Sequence, residues 1–207
     1  MGVAGGGVRP GAGGGRRAGA GEAGILRGVY HYVGVEARGQ ASFFVGVVGA
    51  REPELGWWAD LEHNGLDSQR CGEFLVAVDA NLAGRGVCDV YSRAQFLDRW
   101  SPLPWAEGRD LWVAHWTDAA EPSVPKDGDE WTFWQHSNQG SVPGINGRVD
   151  LDRYDGTPEE LRERYGGGPT YYSLVLTIVA ERDSSAGGGH ALPSAQHFQA
   201  AARRGVR

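Results

Sequence analysis

Two acidic residues separated by a single residue, Asp60 and Glu62, have the types and the spacing in this sequence best suited to catalysis. They lie in the segment GWWADLEHNG, and its apolar residues predict a β-strand over 56 to 62. Since side chains of a strand alternate between its faces, Trp58, Asp60 and Glu62 are expected on one face. Burial beside a second carboxylate would raise the pKa of one of them toward the range of a general acid. The alternative is that both residues begin a surface loop.

A second acidic segment, GRVDLDRYDG, places Asp150 and Asp152 in alternation with Val149 and Leu151. The alternation predicts a strand over 147 to 151 with one acidic and one aliphatic face. An edge strand with a solvated face would give the same pattern. If both acidic strand ends belong to one barrel, they indicate a polar interior at that point.

The elements that would position these residues follow from the periodicity between Ile25 and about Tyr165. Short apolar strands alternate there with amphipathic helices, which predicts an α/β fold with a largely parallel sheet. Active sites of α/β barrels form where the C-terminal ends of the strands meet, and the polar loop 117 to 130 is expected on their rim. The expected strands span 27 to 33, 56 to 62, 87 to 91, 110 to 116, 131 to 136 and 147 to 151.

Three helix starts are marked in the sequence. The clearest helix begins near Asp67 or Ser68 and has a predicted buried face formed by Cys71, Phe74, Leu75, Val78 and Leu82. Ser92 with Gln95 has the spacing of a capping box and predicts a second helix. Thr157 with Glu160 predicts a third, which has Pro158 in its first turn.

Composition excludes several classes of function. The net charge is -6 and the basic residues are scattered, so the chain lacks the positive face that nucleic acid binding requires. No run approaches the ~18 apolar residues of a membrane span. The two cysteines do not make a disulfide scaffold, and the histidines lack the spacing of a zinc site, so no metal or cofactor is expected. The 10% of aromatic residues suit stacking against sugars, although most are expected in the core.

The two ends of the chain differ in composition from its centre. Residues 1–24 are rich in Gly, Ala and Arg, contain no signal peptide, and are expected to be disordered. Residues 166–207 have the composition of a low-complexity, disordered tail, interrupted by the apolar run YYSLVLTIVAERD. We therefore expect one catalytic domain over residues 25–165.

In order and spacing of its motifs, the chain resembles the family 25 glycoside hydrolases, Chalaropsis-type N-acetylmuramidases, over roughly residues 24 to 165. The resemblance is carried by the segments LRGVYHYVG, WADLE, CDVYS, LWVAHW and WTFWQHSNQGSVPGINGRVDLDRY. The last segment is the most specific, because it resembles the W-Q-Y-S, V-P-G-I and V-D-L-N-x-F series of that family.

The resemblance implies an irregular TIM-like β/α barrel and hydrolysis of the β-1,4 bond between N-acetylmuramic acid and N-acetylglucosamine in peptidoglycan. Glu62 would be the general acid, and Asp60 would hold the acetamido group of the substrate or stabilise the charged transition state. Asp150 would line the same cleft. The less specific substrate-binding matches are Tyr30, Tyr32, Tyr91, Trp116 and Gln135.

The resemblance also implies a monomer without cofactor that acts outside the cell on bacterial cell-wall peptidoglycan. Family 25 sequences begin with a G-x-D-x-S strand, which bears another active-site aspartate, and then a second strand. Neither is found in this chain, so the barrel is expected to be N-terminally truncated with unpaired edges. Trp57 and Trp58 replace proline and small or aliphatic residues of the family, and Asp152 replaces asparagine.

Two alternatives to a muramidase remain open at the level of the sequence. The missing first strand would also suit a catalytically inactive remnant that only binds peptidoglycan. Asp60, Glu62 and Asp150 would otherwise suit a Mg²⁺ site in a phosphodiesterase-like barrel. The chemical route is open as well, because a D-x-E pair fits attack by the N-acetyl oxygen of the substrate, by a carboxylate or by water.

Overall fold

The structure, a computed structural model, describes residues 26–50, 52–128, 130–142, 145–166, 174–178 and 198–200. Its strands are β1 (Leu26–Tyr32), β2 (Trp57–Asp60), β3 (Cys88–Ser92), β4 (Leu111–Ala114), β5 (Phe133–Gly140), β6 (Val149–Tyr154), β7 (Leu174–Ile178) and β8 (Phe198–Ala200). Its helices are α1 (Ala37–Val48), α2 (Ser68–Leu82), α3 (Ala94–Leu97) and α4 (Pro158–Tyr165). The strands predicted from the apolar pattern correspond to β1 through β6.

The strands form a single mixed sheet in the order β7-β1-β2-β3-β4-β5-β6-β8. Neighbours from β1 to β5 are parallel, whereas β5 and β6 are antiparallel. Cα atoms of β7 and β8 come within 8 Å of each other, so the sheet curls strongly. The prediction of an α/β fold with a largely parallel sheet is confirmed, and the C-terminal ends of β1 to β5 meet at one end of the curled sheet.

Helices α1 and α2 pack together and bury the apolar side chains on the outer face of the sheet. The predicted stripe of α2 is buried, and the Asp67 carboxylate caps this helix by accepting the Arg70 backbone N–H at 2.8 Å. Helix α1 is absent from the sequence-based prediction. Its buried residues nevertheless repeat at helical spacing, at Ala37, Ala41, Phe44, Val45 and Val48.

The two tryptophans of β2 point to opposite faces of the sheet. Trp57 belongs to the cluster formed with the helices, and its ring meets Phe44 edge-on at 5.3 Å. Trp58 belongs to a second cluster on the other face, where its ring meets Trp112 and Phe133 edge-on, each at 5.6 Å. The predicted alternation of side chains along this strand is confirmed, and each bulky ring that departs from the family pattern is fully packed.

One of the two predicted capping boxes is wrong. Ser92 is the fully buried last residue of β3, and its hydroxyl donates to the Leu61 carbonyl at 3.3 Å instead of capping a helix. Helix α3 begins at Ala94, and no side-chain hydrogen bond within the described residues caps it at Arg93. The capping box of Thr157 is confirmed for α4, with both of its reciprocal hydrogen bonds present.

Both strands that border the predicted part of the sheet have a partner. β1 pairs with β7 and β6 pairs with β8, both in parallel. The unpaired edges expected from the sequence are therefore occupied, because the backbone groups of β1 and β6 are hydrogen-bonded to these short strands. Residues 1–24 lie outside the described residues, as does most of 166–207, so the domain boundaries stay a prediction.

Cys71 and Cys88 are both buried free thiols, on α2 and β3 respectively. No helix within the described part of the chain has the length and the apolar character needed to cross a membrane.

Candidate active site

The acidic residues singled out from the sequence meet where the parallel strands end. Asp60 is the last residue of β2, and in the sheet register it lies between Tyr32 of β1 and Tyr91 of β3. β6 runs antiparallel to its neighbour β5, so its early residue Asp150 reaches the same end of the sheet. The topology thus brings residues from β1, β2, β3 and β6 to one place, although they are far apart in the sequence.

Asp60 and Glu62 form a compact acidic pair. The backbone N–H of Glu62 donates to Asp60 Oδ1 at 3.2 Å. Burial raises the pKa of Asp60 well above its ordinary value, and the charge of Glu62 raises it further. Burial also raises the pKa of Glu62, whose side chain keeps 16% of its surface exposed. Glu62 therefore combines a raised pKa with access from the cleft, as a general acid requires.

Arg93, a cation not predicted from the sequence, contacts this pair. Its Nε donates to Glu62 Oε1 at 2.7 Å. Its charge lowers the pKa of both Asp60 and Glu62, and so opposes part of the effect of burial. Arg93 directly follows the last residue of β3, and only its place at the C-terminal end of a strand could have marked it in the sequence.

Gln135 links three other predicted site residues by hydrogen bonds. Its side-chain amide donates to Asp150 Oδ2 at 3.2 Å. Its Oε1 accepts from the Tyr91 hydroxyl at 3.2 Å and from Trp116 Nε1 at 2.9 Å. Burial, together with the charge of Glu62, raises the pKa of Asp150 to about 6. The structure thus brings these residues into one network beside Glu62.

The three predicted tyrosines, Tyr30, Tyr32 and Tyr91, border the same carboxylates. Burial raises the pKa of each phenol, and the nearby carboxylates raise it further, with Asp60 acting on all three. The phenols therefore stay protonated at neutral pH, which makes them hydrogen-bond donors toward the acidic groups or toward a polar substrate.

Trp116 lies on the rim of this site. The residue is 51% exposed and is the aromatic member of the exposed large apolar residues in the described part of the chain. Beyond it, a groove of about 800 Å³ continues along the loop after β4, which was predicted to lie on the rim. Its lining includes Thr117, Asn138 and Gln139. An exposed ring beside polar groups suits the binding of a sugar chain.

Asp152, which was not among the predicted site residues, is a buried acid beside the site. Trp112 Nε1 donates to its Oδ1 at 2.8 Å, and its Oδ2 has no hydrogen-bond partner among the described residues. Burial raises the pKa of Asp152 well above its ordinary value, and the charge of Asp150 adds to the rise. The protonated acid is neutral, which allows it to occupy the place of the family's asparagine.

Asp152→Asn is expected to stabilise the folded chain at neutral pH. The folded chain retains a proton that the unfolded chain releases above about pH 4, so the acid costs stability that grows as the pH rises toward its folded-state pKa. We expect the free energy of unfolding to increase by at least about 1 kcal/mol at pH 7 and to be unchanged near pH 3, as measured by urea denaturation. Asp118→Asn, at an exposed position, is the control. An equal gain at both pH values would contradict the role of the proton.

No three His, Cys, Asp or Glu side chains of the described residues form a group that could hold a metal ion. Asp60, Glu62 and Asp150 accordingly do not make up such a group, although the charge of Glu62 raises the pKa of both Asp60 and Asp150.

Comparison with known sequences assigns the chain to a family. The profile of "Glycosyl hydrolases family 25" matches residues 13–145, and so begins within the Gly, Ala and Arg-rich segment 1–24. Lysozyme M1 of Streptomyces globisporus is 32% identical over 158 residues, which cover 67% of this chain and 53% of that protein. The uncharacterized protein YegX of Escherichia coli K12 is 34% identical over 153 residues, which cover 68% and 52%. The chain spans about half the length of these curated relatives.

Solved structures agree with the sequence match. A bacterial lysozyme from Streptomyces coelicolor superposes with a TM-score of 0.62 at 26% identity, covering 73% of this chain and 77% of that one. A family GH25 lysozyme from Aspergillus fumigatus has a TM-score of 0.54 at 22% identity, covering 74% and 79%, which shows the common fold. Since the family profile covers more than half of the sequence and the fold agrees, the chain belongs to family 25 of the glycosyl hydrolases.

Proposed function

We propose that this chain is a muramidase that hydrolyses the β-1,4 bond between N-acetylmuramic acid and N-acetylglucosamine in peptidoglycan. The observation that carries the proposal is the grouping of Asp60, Glu62 and Asp150 at one end of the sheet, each with a raised pKa. Carboxyl groups of this kind, one of them accessible, are what glycoside hydrolysis requires. Membership of a family that includes lysozymes supports the choice of substrate.

In the proposed reaction, Glu62 donates its proton to the glycosidic oxygen as the bond to the anomeric carbon breaks. Asp60 accepts the N–H of the neighbouring acetamido group and so orients the acetamido oxygen toward that carbon. Attack by this oxygen gives a cyclic intermediate, which water then opens while Glu62 takes up a proton from the water. Direct attack by water would use the same two residues, and both routes yield a new muramic acid reducing end.

The residues around the pair have supporting roles in this proposal. Gln135 holds Asp150 and Trp116 in a fixed relation through its hydrogen bonds. Trp116 offers an exposed ring to an incoming sugar, and the groove beyond it extends the contact along the glycan. The tyrosine hydroxyls supply donors for polar groups of the substrate.

The proposal includes the setting in which the chain acts. Peptidoglycan lies outside the cytoplasm, so we infer extracellular action by a monomer that contacts neither membrane nor nucleic acid. We also propose that the curled sheet is an irregular TIM-like β/α barrel.

Analysis of the reducing ends tests the proposal. Purified peptidoglycan is incubated with the chain, reduced with borohydride and hydrolysed, and the sugar alcohols are quantified. We expect muramicitol to rise at least about tenfold above the value with a heat-unfolded sample, and glucosaminitol to stay constant. A rise in glucosaminitol would identify a glucosaminidase instead. Pelleting of the chain with peptidoglycan without new reducing ends would favour the inactive binding remnant.

A further inference from the structure

Arg93 is positioned at the mouth of the acidic site and links its parts. Nε donates to Glu62 Oε1 at 2.7 Å, and the guanidinium carbon lies 5.6 Å from the ring centre of Trp116 and 5.7 Å from that of Phe96. The side chain is 44% exposed. Within the described residues, Nε is the atom of this guanidinium with an assigned hydrogen bond, and the Nη groups have none.

This ion pair conflicts with the role of Glu62 in the proposed function. A general acid has to carry a proton when the substrate is bound, whereas a guanidinium at hydrogen-bond distance stabilises the ionised carboxylate. The other charged or titratable groups that act on Glu62 or respond to its charge are Asp60, Asp150, Tyr32 and Tyr91. Each of these would favour the protonated form of Glu62 when ionised, so Arg93 is the contact that has to change.

We propose that Arg93 is a specificity-determining residue. When a glycan binds, Arg93 breaks its ion pair with Glu62 and forms one with a carboxylate of the glycan. Glu62 is then free to take up its proton. The inference rests on the proposed function. It is carried by the geometry of one half-exposed guanidinium between the acid and the exposed ring of the cleft rim.

The chemistry of the substrate supplies such a carboxylate. The lactyl group of muramic acid ends in a carboxylate where no peptide is attached, and where a peptide is attached its own residues carry carboxylates. N-acetylglucosamine has neither. The planar fork of an arginine binds a carboxylate through two parallel hydrogen bonds, whereas its present contact with Glu62 uses Nε. The exchange therefore favours a carboxylate-bearing glycan over a neutral one.

The exchange leaves the charge balanced. The guanidinium goes from one carboxylate to another, and Glu62 takes a proton from solvent before the cleft is filled. That proton is the one delivered to the glycosidic oxygen. When the glycan has no carboxylate, Arg93 stays paired with Glu62. The carboxyl of Glu62 is then more often ionised and less often able to donate a proton.

Steady-state kinetics on three soluble glycans test this inference. The first glycan has free lactyl carboxylates after removal of the peptides, the second has the same carboxyls reduced to alcohols, and the third retains its peptides. We expect Arg93→Gln to lower kcat/KM on the first glycan at least about tenfold more than on the second, the factor associated with one charge-assisted hydrogen bond. Arg93→Lys keeps the charge without the fork and is expected to restore part of the loss.

The pH profile gives a second readout that a merely structural role would not move. On the reduced, neutral glycan, Arg93→Gln is expected to shift the alkaline limb of kcat/KM to higher pH. The reason is that Glu62 loses the neighbouring positive charge that lowers its pKa. Arg99→Gln is the matched control. The guanidinium carbon of Arg99 lies 4.2 Å from the Phe96 ring centre. The substitution therefore removes the same charge nearby, from a side chain that does not contact Glu62.

The outcomes separate the two proposals. A tenfold differential seen only with the peptide-bearing glycan assigns the carboxylate to the peptide rather than to the lactyl group. Equal losses on all three glycans, or an effect of Arg99→Gln as large as that of Arg93→Gln, would overturn the role of Arg93 and leave the muramidase proposal intact. A wild-type chain that cleaves none of the glycans would refute the proposed function and this inference with it.

Discussion

Glu62→Gln is expected to lower the rate of glycan cleavage by about two to four orders of magnitude. The amide has the size of the acid but cannot deliver a proton to the glycosidic oxygen. In the folded chain, burial raises the pKa of Glu62, so the wild-type activity should fall as the pH rises through that pKa and the acid ionises. Release of reducing sugar from purified peptidoglycan, followed over a range of pH, measures both effects.

The control for this substitution is Glu163→Gln, at an exposed position of α4. It makes the same chemical change away from the cleft and should leave the rate and its pH dependence as they are. Wall digestion by Glu62→Gln at the wild-type rate would rule out Glu62 as the acid. Unaltered circular dichroism and retained pelleting with peptidoglycan would show that a loss of activity is not a loss of folding.

Trp58→Ala is expected to lower the free energy of unfolding by about 3 to 5 kcal/mol. The side chain is 1% exposed, and its ring contacts Trp112 and Phe133 on the inner face of the sheet. Its Nε1 also donates to the Leu55 carbonyl at 2.7 Å, so the truncation leaves a cavity and removes the hydrogen-bond partner of that carbonyl. Urea denaturation followed by circular dichroism measures the loss.

Two variants make the stability prediction specific. Trp58→Phe keeps an aromatic ring but loses the hydrogen bond, and it should cost less than Trp58→Ala. Trp116→Ala removes the same side chain from a position that is 51% exposed and should cost less than about 1 kcal/mol. Similar losses for the alanine variants at 58 and 116 would contradict the packing described for Trp58.

The sequence predicted most of the sheet because strands β1 to β6 have apolar side chains on at least one buried face. Alternation along β2 was enough to place Trp57 and Trp58 on opposite faces, since the period of a strand is fixed by its backbone. Helix α1 was missed although its buried residues have helical spacing. The capping box assigned to Ser92 failed because strand β3 extends through that residue and buries its hydroxyl.

Part of the candidate site, too, could be predicted from the sequence and part could not. Asp60 and Glu62 were found because they are two residues apart at the C-terminal end of β2, and the resemblance to family 25 supplied the remaining predicted residues. Arg93 and Asp152 were not selected. Nothing near Arg93 in the sequence indicates its contact with Glu62, which depends on the parallel pairing of β2 with β3.

The sequence by itself determined the family, the alternation of strands and helices, and the acidic pair, because each of these depends on the order and spacing of residues along the chain. The tertiary structure decided which charges meet. The curled sheet buries Asp60 and Asp150 beside Glu62, and the pKa of each carboxyl depends on that burial and on charges from other strands. Desolvation and Coulomb interactions act through space rather than along the chain, so only the folded arrangement could bring Arg93 onto the acid of the site.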